Sequence, residues 1–66
     1  MSKLKELRMT KGLTQKELAE KAGLSLRTLQ HYEQGSKDLN QAAASTVYDL
    51  AVALGSKMEE LLDLPQ

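Results

Sequence analysis

The chain has no cysteine, phenylalanine or tryptophan, only two tyrosines, and one proline, Pro65, beside the C-terminus. Without cysteine, neither a disulfide nor a thiolate metal site can staple so small a molecule. No proline falls where it would break a helix before that end. No apolar run approaches the roughly 20 residues that cross a bilayer. Lys3, Lys5, Glu6 and Arg8 break up any signal-like stretch near the start. A cleft of paired carboxylates, a glycine-rich phosphate loop and a partner for the lone histidine, His31, are all missing from the pattern. The sequence therefore predicts no enzyme, no cofactor and no metal. Sixty-six residues predict one domain, 1–66. A chain of this size buries only about 60% of its unfolded surface, which leaves little room for a substrate pocket. A reducing cytoplasm is the expected setting.

What is present is leucine, alanine and charge. Leucine and alanine without large aromatics favour an all-α core. Net charge is zero, which at first counts against a nucleic-acid partner. The charges are unevenly spread, however. Through Lys37 there is a surplus of four positive charges, and from Asp38 onward an equal negative surplus. A local field of this kind steers a partner more than the net charge does.

Glycines punctuate the chain at Gly12, Gly23, Gly35 and Gly55, each after a stretch with helical apolar spacing. A glycine just past a helix end takes the left-handed conformation without β-carbon strain. Thr14 and Glu17 predict a capping box, with Leu13 and Leu18 placed as a hydrophobic staple. Ser25 predicts the next cap, with Leu24 and Leu29 as its staple. Ser56 and Glu59 predict a last box. Asn40 or, two residues earlier, Asp38 can cap a longer helix. These signals predict five helices, over 2–11, 15–22, 26–34, 41–54 and 57–62. The predicted core is Leu4, Leu7, Leu18, Ala22, Leu29, Tyr32, Val47, Leu50, Ala51, Leu54, Met58, Leu61 and Leu62.

The stretch QKELAEKAGLSLRTLQHYEQ, from Gln15 to Gln34, carries the most information. It reads as two short helices joined by a turn at Gly23. Ala19 is small where the helices must cross closely. On a helical wheel Leu26, Arg27, Gln30, His31 and Gln34 fall within about 140° of one another, while Thr28, Leu29 and Tyr32 lie opposite. Arginine can bond guanine, and glutamine adenine, in bidentate pairs; Leu26 can pack on a thymine methyl. The plainer reading is an αα-hairpin with a solvated outer face. The glycine, the small residue and the caps in one register favour a helix-turn-helix.

LTQKELAEKAGLSLRTLQHYEQGSK resembles the helix-turn-helix of the phage repressor and Cro family, the Xre-type regulators. VYDLAVALGSKMEELL is similar to that family's fourth and fifth helices. The resemblance implies a compact five-helix, lambda-repressor-like fold that binds a double-stranded DNA operator, commonly as a homodimer, and regulates transcription, here as a repressor. It implies base contacts from Ser25, Leu26, Arg27 and His31, with Gln30 at the edge of that set. It implies phosphate contacts from Gln15 and Lys37, and an ion pair between Arg8 and Glu33. Each has a plainer counterpart, in which Gln15 is a first-turn residue and Lys37 a solvated loop lysine.

From Gly35 to Val47 the chain runs longer than in compact phage repressors, as though Asn40 to Ser45 extend the fourth helix by a turn. The competing function is a protein-interaction module, such as an antitoxin or anti-regulator. Its acidic C-terminal half, with Glu59, Glu60, Asp63, Leu61, Leu62 and Leu64, would dock on a protein.

Overall fold

The computed structural model describes residues 2–62, and within them the fold is all-α. Four helices appear: α1 (Lys3–Thr10), α2 (Gln15–Ala22), α3 (Leu26–Gln34) and α4 (Ala44–Leu54). Two single 3-10 turns, Leu39–Gln41 and Met58–Glu60, precede and follow α4.

The second and third helices begin where their caps predict, and the first has a cap that the sequence reading did not name. The Ser2 hydroxyl accepts the Lys5 N–H at 3.0 Å, so α1 starts one residue later than the periodicity suggests. At α2 the box is complete: Thr14 Oγ1 accepts the Glu17 N–H at 3.1 Å, and Glu17 Oε1 accepts the Thr14 N–H at 2.9 Å. Ser25 Oγ accepts the Thr28 N–H at 3.1 Å at the head of α3. All four glycines have positive φ.

The core sits where α2 packs on α4 and α3, with α1 against α3 and the last turn against α4. Leu4, Leu18, Leu29 and Leu50 are fully buried, one from each helix. Each such side chain contributes about 1.5–3 kcal/mol of burial free energy. Ala22, Val47, Ala51, Leu54 and Leu61 complete the predicted interior, Ala19 joins it, and Leu7, Tyr32, Met58 and Leu62 pack partly buried around it. Leu39 is also in the core, and the helical pattern had missed it.

The fold departs from the five-helix expectation after Gly35. The chain has four α-helices among the described residues, not five. Helix α4 starts at Ala44 rather than 41. Asp38, not Asn40, is the capping residue there: its Oδ1 accepts the Asn40 N–H at 2.9 Å and closes a separate 3-10 turn. Leu39 anchors that turn in the core, and Ala42 packs beside it. Ala42 and Ala43 are then extended, with ψ of 159° and 143°. Helix propensity in the alanine run, a few tenths of a kcal/mol per residue, is outweighed by burying Leu39.

The expected fifth helix is one 3-10 turn for a similar reason. Its cap falls one residue later than the Ser56–Glu59 pair, with Glu60 Oε1 accepting the Lys57 N–H at 3.0 Å. Lysine offers no acceptor to return the bond, so half a box forms. A segment this short does not repay helix nucleation; Leu61 and Met58 hold it against the core instead. Asp63, Leu64 and Pro65, expected in the acidic surface and at the end of the last helix, lie outside the described residues.

Candidate nucleic-acid interface

The turn between α2 and α3 is set by Gly23, whose φ of 71° is left-handed. The Leu24 N–H reaches back to the Ala19 carbonyl at 2.9 Å, and the Gly23 N–H to Glu20 at 3.3 Å. These bonds satisfy the last carbonyls of α2 and reverse the chain in one residue. No neighbour lies within 4 Å of where a Gly23 side chain would begin; the constraint is backbone conformation alone. Ala19 is buried at the crossing, as its small size requires.

This turn presents the start of α3 to solvent. Ser25, Leu26 and Arg27 are exposed, and Gln30 and His31 are half-buried. Leu26 is 41% exposed, an unusual state for a leucine beside a core that takes Leu24 and Leu29. Ser25 is less free than the others. Besides capping α3, its hydroxyl donates to Thr28 Oγ1 at 2.8 Å, so two local bonds already engage it. Lys37 is exposed in the loop after α3, and its N–H donates to the His31 carbonyl at 3.2 Å. That bond keeps the loop against the end of the helix.

Under this face lies an ion pair. Arg8 Nε and Nη2 donate to Glu33 Oε2 and Oε1 at 2.7 and 3.1 Å, and Arg8 Nη1 donates to the Leu13 carbonyl at 2.9 Å. The side chains of Arg8 and Glu33 are only 11% and 2% exposed. One guanidinium thus ties α1, the α1–α2 loop and α3 together. A planar fork is suited to this bidentate geometry.

Gln15 joins the same group. Its Nε2 donates to Glu33 Oε1 at 3.1 Å, and its Oε1 accepts from Gln30 Nε2 at 3.4 Å. The structure therefore brings Arg8, Gln15, Gln30 and Glu33 together, and leaves Ser25, Leu26 and Arg27 apart at the free end of α3. The Gln15–Gln30 bond escaped sequence reasoning. Its partners stand 15 residues apart on different helices, and neither residue type predicts a partner.

Gln15 is also the first residue of α2. Thr14 and Glu17 have used their N–H groups in the box, whereas those of Gln15 and Lys16 have no intrahelical acceptor. A helix start with free N–H groups favours an anion. The Glu17 carboxyl is held below the usual carboxylate range, first by the Thr14 backbone N–H, then by the Thr14 hydroxyl and by Lys21.

On α4 a different surface is open. Tyr48 and Val52, one turn apart, are 58% and 60% exposed. They line a shallow groove with Met58, flanked by Lys57 and Glu59. No helix among the described residues is long and apolar enough to cross a membrane.

A model of the helix-turn-helix family matches residues 4–61, nearly the whole chain. No curated protein and no solved structure matches it.

Proposed function

The chain belongs to the Xre and lambda-repressor-like helix-turn-helix family, a DNA-binding family of regulators, and from that premise we propose that it is a repressor. It binds a double-stranded DNA operator as a homodimer, in the cytoplasm, with no enzymatic activity. The carrying observation is the exposure of Ser25, Leu26 and Arg27 on a helix footed on a buried ion pair. Helix α3 enters the major groove by its N-terminal end. Arg27 reads a guanine edge, Leu26 meets a thymine methyl, and His31 reads from the next turn. Gln15, the start of α2 and Lys37 hold phosphates on either side. Fixing α3 rigidly before DNA arrives lowers the ordering cost of binding.

The second copy docks through the Tyr48–Val52 face, which lies on a different helix from the reading residues. The flanking Lys57 and Glu59 give that face both signs of charge, so two copies meet without net repulsion at it. Half-sites then fall about 34 Å apart on one side of the duplex.

The same exposed face supports a second reading, a protein-interaction module whose Tyr48 and Val52 dock on another protein. Titration with duplex at rising salt separates the two. A DNA binder loses affinity steeply as salt rises; an interaction module shows no association at low salt either. Selection from random duplex, followed by sedimentation of the complex, then gives the site and stoichiometry. Two protomers per palindromic site support the proposal; one at saturation contradicts the dimer.

A further inference from the structure

Gln30 faces two possible employments. Its place on the outer side of α3 suits it to read a base. Its hydrogen bond to Gln15 suits it to something else, and the chemistry of the group decides between them.

Glu33 is the fixed point. Paired with Arg8 and 2% exposed in its side chain, its carboxylate offers only acceptors. The Gln15 amide must therefore turn its NH2 toward Glu33, as the 3.1 Å contact has it. That leaves the Gln15 carbonyl pointing the other way, where only a donor can satisfy it. Gln30 supplies the donor through Nε2 at 3.4 Å. Each amide orientation follows from the one before: carboxylate, then Gln15, then Gln30.

A single bond to Glu33 leaves the Gln15 amide free to pivot about it. A second bond at the opposite end fixes the plane of the amide. The direction of the remaining Gln15 N–H is then set in the free protein. A preset donor for an anion spares the rotamer entropy that an unanchored glutamine loses on binding. The same bond uses one of the two Gln30 N–H groups and sets its amide plane by Gln15 rather than by a base edge. Bidentate recognition of adenine requires a free N–H and carbonyl aimed together at the base edge, and the Gln30 NH2 is turned toward α2.

We propose that Gln30 is a positioning residue: it locks the Gln15 amide, from the side opposite the Arg8–Glu33 pair, so that Gln15 delivers an N–H to a DNA phosphate. This rests on the DNA-binding reading above. Gln30 belongs functionally to the phosphate grip of α2, although it lies on the reading helix.

The test uses Gln30→Met, which keeps the stem and removes the donor, together with Gln15→Ala and the double variant. Gln30 is half-buried and outside the core, so thermal melts of Gln30→Met should match the parent. In the free protein, side-chain amide NMR should show the two Gln15 NH2 protons distinct and slowed in exchange, and Gln30→Met should shift them. On DNA, Gln30→Met should weaken the selected duplex and its single-base variants alike, by about three- to tenfold, the worth of one hydrogen bond. The double variant should bind no more weakly than Gln15→Ala.

Unaltered Gln15 amide resonances in Gln30→Met overturn the proposal, whatever happens on DNA. So does relaxed preference at one base position, or strict additivity with Gln15→Ala. If the parent protein binds no duplex at any salt, the DNA-binding reading fails and takes the phosphate role of Gln15 with it. The NMR arm then tells that failure from a failure of the Gln15–Gln30 lock.

Discussion

The α2–α3 unit and the segment from Asp38 to Leu62 share one core but are held by different means. The first is framed by directed bonds: a complete capping box, a left-handed glycine, and an ion pair that reaches across from α1. The second is held mainly by buried side chains: Leu39, Val47, Leu50, Ala51, Leu54 and Leu61. Helix α4 has Ala43 at its N-cap position and no side-chain cap at all. Directed bonds fix orientation to within tenths of an ångström, whereas apolar burial is roughly proportional to area and is tolerant of direction. The part of the molecule that must present a surface in register is the part built with polar geometry.

The hardest blow to that contrast is Arg8→Met. It strands the Glu33 carboxylate in a nearly buried site, at a cost of about 3–5 kcal/mol. That is a large share of a small domain's stability. Urea melts should show it, and adding Glu33→Gln should recover part of the loss. Strict additivity of the two changes would mean that the pair does not act as a unit.

Gly23→Val comes next. It forces a β-branched residue to φ near +71°, at about 1–3 kcal/mol. Nothing lies within 4 Å of the new Cβ, so the Cβ itself adds no clash to the backbone strain. An unchanged melting midpoint would show that the turn gives way cheaply, and that α3 is not held in register by it.

An opposite effect is expected at the head of α4. Ala43→Asp supplies the missing cap on a backbone already extended, at φ −59° and ψ 143°, and should stabilise by about 0.5–2 kcal/mol. No gain in the urea midpoint would mean that apolar anchoring already fixes this helix start.

The smallest effect concerns Glu17. Its carboxyl is held below the usual range chiefly by the Thr14 N–H. The folded state therefore favours the charged form. The resulting stability is present above the unfolded carboxylate value, about 4.3, and is lost as pH falls through the lower folded value. Glu17→Gln keeps an acceptor but removes the charge, so its melting temperature should fall less steeply with acid than the parent's. Identical slopes would remove the charged box from the account.

The two halves also differed in how legible they were. Thr14, Glu17, Gly23 and Ser25 announce α2, the turn and α3 because capping is local: donor and acceptor lie within three or four residues. Arg8 and Glu33 carried no local signal, and their pairing came from family resemblance. The Gln15–Gln30 bond had neither aid. From Asp38 onward, helical propensity and apolar spacing pointed to one long helix and a fifth. The outcome turned on Leu39, whose burial depends on core partners that lie far away in sequence. A leucine between Asp38 and Asn40 states no such thing by itself. The exposure of Leu26 follows from the wheel, because Leu26 falls on the same side as Arg27, Gln30, His31 and Gln34.

The central claim is that the free end of α3 reads bases while the start of α2 holds the backbone. Binding isotherms of Arg27→Ala and Gln15→Ala, on the selected duplex and on each single-base variant, test it most directly. Arg27→Ala should cost about 1–3 kcal/mol on the selected site and relax preference at one position. Gln15→Ala should weaken every duplex by a similar factor and leave the preference intact. If Arg27→Ala instead weakens all duplexes equally, Arg27 is a phosphate clamp and the reading face has been misplaced.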